Sequence, residues 1–325
     1  MTKIIGIGNA LVDVLVHLED ETHLNRLQLP KGGMTHVDRP RYEELAAAVS
    51  TLPHKVATGG SAANAIHAMA LLGDTVGFVG TVGADTMGTL FATCSRERGI
   101  DARLRVCDEG DTGVATTFIT EDGERTFATY LGVAPQIEFQ PDPDFIGDDA
   151  ILHVEGYLVQ DHDFIEHVMR TAKEAGMRVS YDLASWNIVR ADHDFVEHLV
   201  QDYVDIVFAN EEEAAAFSGQ DDPEVSLRQF AAMTEVAVVK VGRRGAMGQR
   251  GQQRADVAGL AVNAVDTTAA GDTFTGFFIG GLAEGRPLAE CMRRASMASA
   301  ISVTRMGAAV SIPKVEEVES RLAEL

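Results

Sequence analysis

The sequence predicts a three-layer α/β/α fold: a mostly parallel central sheet with helices on both faces, and a smaller second sheet beside it. Short apolar runs alternate with amphipathic segments along most of the 325 residues, and this is the rhythm of βαβ units. The sequence contains no repeat period of 20–50 residues and no low-complexity tract, so a single continuous domain is expected. Two stretches depart from the alternation, and both have the composition of strands.

The strands of the main sheet are predicted where short runs of aliphatic and β-branched residues occur. These runs are residues 4–8, 76–80, 151–154, 178–182, 205–209 and 236–241. The segments between them place apolar residues at helical spacing. The predicted helices are residues 61–72, 163–174, 192–200, 223–233, 271–282 and 288–303.

The two departing stretches are residues 11–40 and 108–131. The second contains β-branched and aromatic runs on either side of the turn sequence at 121–124, which is a hairpin pattern. A small sheet beside a Rossmann-like core is typical of a lid over a cleft. We therefore predict one domain over residues 1–325, with a lid from about 11–40 and 108–131 and the core from the remainder.

Composition excludes several classes of partner. The chain has 27 basic and 49 acidic residues, a formal net charge of −22, which disfavours nucleic acid and anionic membranes. Apolar runs stay below the roughly 18 residues of a bilayer span, and the first residues do not resemble a secretory signal. A cytoplasmic protein is expected. Its three scattered cysteines predict reduced thiols rather than a zinc site.

The strongest motif is Asp-Thr-Thr-Ala-Ala-Gly-Asp-Thr-Phe at 266–274. Small residues stand at Ala269, Ala270 and Gly271, where a helix begins, and free amides at a helix start bind phosphate. Asp272 in that first turn would ordinarily be only a helix cap. A carboxylate beside a phosphate is electrostatically unfavourable unless it has a task, such as accepting a proton from an attacking hydroxyl. An ordinary carboxylate can perform that task in phosphoryl transfer.

This segment resembles the second signature of the ribokinase (pfkB) family of carbohydrate and nucleoside kinases, with Ala269 in place of the commonest glycine. The resemblance extends over residues 6–313. It implies a ribokinase-like fold and an ATP-dependent phosphotransferase acting on an alcohol. It also implies that Asp272 is the catalytic base and that the backbone of Ala269, Ala270 and Gly271 forms the anion hole.

Residues 57–66, with Gly59, Gly60, Ser61 and Asn64, resemble the first signature of the same family. Taken alone, Gly-Gly-Ser is a turn in which glycine permits a positive φ and close approach of a ligand. The resemblance implies that the glycine pair is a hinge for lid closure. It further implies that Gly59, Gly60 and Asn64 belong to the substrate site.

Two further motifs resemble the nucleotide side of the family. Asn210 ends a predicted strand and Glu213 lies in the following helix. Acidic residues also suit a helix start, but the spacing matches the family's Asn-x-x-Glu motif. That match implies that they place Mg²⁺ and its waters beside the phosphates. The hairpin with Lys240, Gly242 and Gly245 resembles the one that approaches ATP.

Residues 304–313 resemble a C-terminal loop that, with the loop at 266–268, holds a monovalent cation in many members. The residues that align with its ligands are Asp266, Thr268, Ser302, Arg305, Gly307 and Ser311. Most of them would contribute backbone carbonyls, so the identity of their side chains is a weak test of whether the site is present. The resemblance leaves open whether K⁺ binds here.

The substrate is less clearly indicated. Asn9 and Asp13 follow the first strand, and a carboxylate at Asp13 can accept from two vicinal hydroxyls, as on ribose. It is equally explained as a polar residue on a lid strand. The pattern of Asn9 and Asp13 resembles adenosine kinases, which implies that Arg125 lies near the transferred phosphate and that Tyr157 stacks on a purine.

The expected function is transfer of the γ-phosphate of ATP, with Mg²⁺, to the 5′-hydroxyl of a nucleoside, most directly adenosine. A free sugar such as ribose, fructose or a 2-keto-3-deoxy sugar acid is the alternative acceptor. A non-catalytic binding protein on the same fold is a third reading, and the intact Gly271–Asp272 pair disfavours it. The partners are small molecules, and the sequence does not decide between a monomer and a homodimer.

Overall fold

The computed structural model describes residues 2–18, 21–121 and 125–324. Its strands are β1 (Lys3–Ile7), β2 (Leu11–His17), β3 (Met34–His36), β4 (His54–Gly59), β5 (Val76–Gly83), β6 (Asp101–Cys107), β7 (Gly113–Ile119), β8 (Arg125–Tyr130), β9 (Ala150–Glu155), β10 (Arg178–Asp182), β11 (Ile206–Asn210), β12 (Val236–Lys240), β13 (Gly245–Arg250) and β14 (Gln253–Ala258).

Its helices lie mostly between these strands. They are α1 (Thr22–Arg26), α2 (Arg39–Val49), α3 (Ser61–Leu71), α4 (Thr86–Glu97), α5 (Pro143–Ile146), α6 (His162–Glu174), α7 (Trp186–Ala191), α8 (His193–Asp202), α9 (Glu211–Ser218), α10 (Pro223–Met233), α11 (Ala270–Ala283), α12 (Leu288–Ser302), α13 (Ala308–Ser311) and α14 (Val315–Leu322). Across the described ranges, no helix has both the length and the apolar character that a bilayer span requires.

The main sheet has nine strands in the order β14-β13-β12-β11-β10-β9-β1-β5-β6. Neighbours from β12 to β6 pair in parallel, and β13 and β14 add an antiparallel edge. The six strands and six helices predicted for the core all form. The predicted fold class is therefore confirmed, while β6 and β14 at the sheet edges were not predicted.

Two hydrophobic cores lie on opposite faces of the main sheet because successive strand residues point in opposite directions. Ile5 and Val207 join the core under α5 to α10. Ile4 and Phe208 join the core under α3, α11 and α12, where Phe208 meets Phe278 edge to face at 5.3 Å. Burying each such side chain stabilises the fold by roughly 1.5–3 kcal/mol, so both faces hold the sheet in place.

The second sheet has five strands in the order β3-β8-β7-β2-β4. One of its faces packs with α1 and α2 around a third core that includes Val16, Phe118 and Leu45. The sheet therefore extends beyond the predicted range 11–40 to Gly59, the end of β4. The predicted turn at 121–124 falls largely on residues 122–124, which lie outside the described residues.

Candidate active site

A cleft of about 1250 Å³ opens where the carboxyl ends of the main-sheet strands face the second sheet. Such strand ends are the usual ligand site of open α/β sheets. Most of the residues predicted from sequence line this cleft. They are Asn9, Asp13, Gly60, Asn64, Tyr157, Asn210, Glu213, Lys240, Gly242, Gly245, Thr268, Ala269, Ala270, Gly271 and Asp272. The predicted residues that do not line it are Gly59, Arg125, Asp266, Ser302, Arg305, Gly307 and Ser311.

Helix α11 starts from a residue in an unusual backbone conformation. Ala269, its N-cap, has a left-handed φ of 57°, which costs an L-residue roughly 1–2 kcal/mol and explains why glycine suits this position. The amide of Ala270 donates to the carbonyl of Thr267 at 3.2 Å. Since first-turn amides lack intrahelical acceptors, the amides of Gly271 and Asp272 are available to an anion.

Asp272 lies between the starts of two helices, α3 and α11. Its Oδ1 accepts from the hydroxyl of Ser61 at 2.8 Å, and its Oδ2 accepts from Nδ2 of Asn64 at 3.0 Å. Burial raises the pKa of Asp272 to about 6, and the hydrogen bonds from Asn64 and Ser61 oppose that rise. The carboxylate is therefore ionised at neutral pH yet more basic than an exposed aspartate, as a general base should be.

Glu155, at the end of β9, is a site residue that the sequence analysis did not identify. It is 1% exposed, and its carboxylate accepts from the backbone amide of Asn9 at 2.8 Å, from Nδ2 of Asn9 at 2.7 Å and from the amide of Ala62 at 3.0 Å. Burial raises its pKa to about 7 against these hydrogen bonds. Glu155 thus joins Asn9 to the start of α3.

The glycine pair brings α3 close to the strand ends. A Cβ on Gly59 would collide with the carboxylate of Asp13, and a Cβ on Gly60, whose φ is 96°, would collide with the carbonyl of Asn9. Asp13 is itself buried, and burial, followed by the charges of Asp272 and Asp266, raises its pKa to about 7. Both glycines are required by this close packing, whatever part they have in movement.

A buried ion pair joins the ends of β10 and β12, on either side of β11. Nζ of Lys240 lies 2.9 Å from Oδ2 of Asp182, which also accepts from the hydroxyl of Thr275 at 3.1 Å. Burial disfavours both charges, but their mutual attraction outweighs it, so the pKa of Asp182 falls and that of Lys240 rises. Asp182 lines the cleft and was not among the predicted site residues.

Asn210 and Glu213 form a capping box at the start of α9. The side chain of Asn210 accepts from the amide of Glu213 at 2.9 Å, and the carboxylate of Glu213 accepts from the amide and from Nδ2 of Asn210, both at 2.7 Å. Burial, followed by the charge of Asp182, raises the pKa of Glu213 to about 7. Among the residues that the structure describes, no basic side chain forms an ion pair with this carboxylate.

These residues fit a magnesium ion held in the usual way. Within the described part of the chain, no group of three or more acidic, histidine or cysteine side chains forms a metal cage. Mg²⁺ does not need one, because it is commonly held by one or two carboxylates together with water and substrate phosphates. Glu213 and Asn210, beside the cleft and near Lys240, would supply the protein's share of that coordination through water.

Arg125 of the second sheet reaches the loop that precedes α11. Its Nη1 lies 2.8 Å from Oδ1 of Asp266 and also contacts the hydroxyl of Thr268, while its Nη2 donates to the hydroxyl of Thr267 at 3.0 Å. Asp266 is 3% exposed and accepts from the amides of Thr268 at 2.7 Å and Gly307 at 2.8 Å. The structure therefore pairs Arg125 with this loop.

The residues aligned with the family's monovalent cation do not fit a K⁺ ion in this arrangement, because the guanidinium of Arg125 lies beside Asp266. The carbonyls of Ser302 and Gly307 accept the amides of Arg305 and Ser311, at 3.0 and 3.1 Å, which still leaves each oxygen a second lone pair. A cation on the carboxylate of Asp266 would lie close to the guanidinium of Arg125, and two like charges 4 Å apart repel by about 4 kcal/mol at an effective dielectric of 20.

The wall of the cleft formed by the second sheet is largely apolar. Met34, Phe127 and Leu131 line it, and Tyr157 faces it from the core. The hydroxyl of Tyr157 donates to the carbonyl of Ala184 at 3.4 Å, and burial raises the pKa of this phenol, so it stays neutral. The cleft thus combines the polar groups around Asp272 with apolar and aromatic side chains.

Comparisons with known proteins agree with this geometry. The profile described as "pfkB family carbohydrate kinase" matches residues 33–315. The chain is 30% identical over 286 residues to probable fructokinase-4 of Arabidopsis thaliana, covering 82% of this chain and 87% of that protein. It is 28% identical over 275 residues to the ribokinase of Haemophilus influenzae, covering 81% and 87%.

Solved structures give the same result. A probable sugar kinase from Rhizobium etli superposes with a TM-score of 0.88 at 30% identity, and the adenosine kinase of Sinorhizobium meliloti with 0.84 at 29%. Each comparison covers 100% of this chain and 99% of the other. The chain belongs to the pfkB family of carbohydrate kinases and is a phosphotransferase that uses an alcohol group as acceptor.

Proposed function

We propose that this kinase transfers the γ-phosphate of ATP, with Mg²⁺, to the 5′-hydroxyl of a nucleoside, with adenosine as the first candidate. The observation that carries the proposal is the mixed lining of the cleft. Asp13, Asn64 and Asp272 contribute polar groups, and Phe127 and Tyr157 contribute aromatic rings. A nucleoside has the same two parts, with vicinal hydroxyls on the ribose and a flat base whose faces stack on aromatic rings.

A free sugar is the second candidate, and the fructokinase and ribokinase relatives favour it. A sugar is hydroxylated around its whole ring, so it would leave the apolar wall of Met34, Phe127 and Leu131 without a partner. An adenosine kinase and a probable sugar kinase are both similar along the whole chain, so the choice of the nucleoside rests on the lining of the cleft. The two candidates share the reaction and differ only in what contacts the apolar and aromatic side chains of the cleft.

Each site residue has a task in the proposed mechanism. Asp13 accepts hydrogen bonds from two vicinal hydroxyls, and Asn64 orients both the substrate and Asp272. The amides of Gly271 and Asp272 bind the transferred phosphoryl group, and Asp272 accepts the proton of the attacking hydroxyl. When bound through Asn210 and Glu213, Mg²⁺ supplies positive charge to the phosphates.

The second sheet acts as the lid in this proposal. It is joined to the core beside Gly59 and Gly60, where α3 begins, and its inner face carries Asp13 and Phe127. Closure over a bound substrate would exclude water from the phosphoryl group and so limit wasteful hydrolysis of ATP.

A panel of acceptors tests the choice of substrate. We expect kcat/KM for adenosine to exceed that for ribose or fructose by about tenfold to a hundredfold, since stacking a base on an aromatic ring is worth roughly 1–3 kcal/mol. Phe127→Ala should lower kcat/KM for adenosine and leave that for ribose nearly unchanged. The measurement is ADP formation with each acceptor.

Tyr130→Ala is the matched control, because Tyr130 lies on the same strand but stacks on Tyr42 with ring centroids 4.7 Å apart and does not line the cleft. It should leave the ratio of adenosine to ribose unchanged. A kcat/KM for fructose or ribose that equals or exceeds the value for adenosine would replace the nucleoside with a sugar.

The pH dependence of the reaction should report the ionisation of Asp272. This carboxylate must be deprotonated to act as a base, so kcat should fall as the pH decreases through about 6, the pKa to which burial raises it. The hydroxyl of Ser61 lowers that pKa, so Ser61→Ala should move the acid limb to higher pH. Ser299→Ala is the control because its hydroxyl donates to the carbonyl of Ala270 instead. An unshifted limb in Ser61→Ala would exclude Asp272 as its source.

A further inference from the structure

The charge balance around Asp266 carries an inference beyond the substrate. This carboxylate is nearly inaccessible and organises the loop from which α11 starts, because it accepts the amides of Thr268 at 2.7 Å and Gly307 at 2.8 Å. Two neutral amides do not balance a buried negative charge. The balancing cation is the guanidinium of Arg125, with Nη1 2.8 Å from Oδ1 of Asp266.

Arg125 contacts this loop at three consecutive side chains. Besides the ion pair with Asp266, it donates to the hydroxyls of Thr267 and Thr268. The next residue, Ala269, has the left-handed conformation that turns the chain into α11. Arg125 belongs to β8 of the second sheet, so these contacts join the second sheet to the residues that position the amides of Gly271 and Asp272.

We infer that Arg125 takes the place of a monovalent cation at Asp266 and acts as a positioning residue for the anion hole. The guanidinium neutralises the carboxylate and fixes the loop at 266–269, so the start of α11 has its anion-binding geometry when β8 is in place. The chain therefore does not require K⁺, and the second sheet contributes a residue that fixes the geometry of the anion hole. The catalytic part of this inference rests on the proposed kinase reaction, while the cation part does not.

The test measures cation dependence in the wild-type protein and in Arg125→Ala. Without substrates, the melting temperature of the wild-type protein should be the same in KCl, NaCl and choline chloride at equal concentration. With ATP, Mg²⁺ and adenosine, or ribose if that is the better acceptor, its kcat should also be the same in the three salts. Arg125→Ala should lose about 10²-fold in kcat, the scale for a misplacement of about 1 Å at a reacting centre, with KM for the acceptor changed much less.

The distinguishing readout is rescue. KCl, or guanidinium at low concentration, should restore part of the kcat of Arg125→Ala and raise its melting temperature, whereas choline should not. Arg125→Lys, which keeps the charge, should retain more activity than Arg125→Ala. If Arg125→Ala does not fold, Arg125→Lys serves as the test variant. Arg39→Ala is the matched control, since Arg39 is an exposed arginine of the same lid region that pairs with Glu43 and Asp111.

Several results would overturn the inference. One is a wild-type protein that KCl activates or stabilises more than choline chloride does. Another is Arg125→Ala with unchanged kcat. A third is a loss of kcat that neither KCl nor guanidinium restores, because Arg125 would then act on the transferred phosphate itself. The melting curves need no acceptor, so a wrong choice of substrate cannot be mistaken for a wrong cation assignment.

Discussion

Asp272→Asn should lower kcat by about 10²–10⁴-fold, the usual contribution of a general acid–base group. Asparagine keeps the size of the side chain and an oxygen that can accept from Ser61, and its Nδ2 can donate to Asn64 once the amide of Asn64 turns to present its oxygen. It cannot take up the proton of the attacking hydroxyl. The melting temperature and KM for the acceptor should therefore change little. The measurement is steady-state kinetics of ADP formation at saturating ATP, together with thermal unfolding of both proteins.

Asp74→Asn is the control for this variant. Asp74 is a half-buried carboxylate next to Gly280, near the far end of the same helix, and burial raises its pKa to about 6 as well. It does not line the cleft, so its neutralisation should leave kcat unchanged. If Asp272→Asn retained most of the wild-type kcat, or if Asp74→Asn lost as much, Asp272 would not be the base.

Lys240→Met should lower the free energy of unfolding by about 3–5 kcal/mol, the cost of leaving one member of a buried ion pair without its partner. The side chains of Lys240 and Asp182 are 16% and 8% exposed, so water compensates little for the lost cation. Glu213 also loses a nearby positive charge. Equilibrium unfolding in urea at pH 8, where these carboxylates are ionised, gives the difference.

The double variant Lys240→Met/Asp182→Asn should recover much of this loss because the unpaired charge is gone as well. Arg250→Met is the exposed control: Arg250 and Glu235 lie 2.7 Å apart with side chains 39% and 40% exposed, and such surface pairs contribute about 0–1 kcal/mol. Equal losses in Lys240→Met and Arg250→Met would mean that the cleft pair behaves as a surface pair.

The parts of the fold that sequence predicts well are those where burial is complete. Strands such as β11 and β12 are buried and apolar on both faces up to their last residue, and their runs of apolar residues are visible without a structure. Strand β6 was missed because Asp101–Cys107 alternates charged and apolar residues at a half-exposed sheet edge. The second sheet was underestimated because β4 has exposed polar residues and joins it only through pairing with β2.

At the site, the sequence predicts residues that belong to local motifs better than residues whose role depends on distant contacts. Asp272, Gly60 and Asn64 belong to short segments whose small residues and helix starts carry the chemistry within about ten positions. Glu155 and Asp182 were missed because each is a single acidic residue at a strand end, and its task depends on partners contributed by other strands and helices. One usable signal was available: a carboxylate that ends a buried parallel strand faces the ligand edge of the sheet.

The pairing of Arg125 with Asp266 likewise depends on tertiary structure. The two residues are far apart in the chain, and the contact exists because the second sheet folds over the start of α11. The family resemblance implied that Arg125 lies near the transferred phosphate and aligned Asp266 with the ligands of a monovalent cation. The structure joins them to each other, and this juxtaposition is what the salt experiments address.

The central claim, that Asp272 takes the proton during phosphoryl transfer, is tested most directly by single-turnover rapid-quench kinetics with radiolabelled ATP and saturating acceptor. In Asp272→Asn, the transfer step should slow by about the same 10²–10⁴ factor as kcat, while the binding of acceptor and ATP, measured by calorimetry, stays close to wild type. A transfer rate equal to that of the wild-type enzyme would contradict the claim, because the carboxylate at position 272 would then have no part in the chemical step.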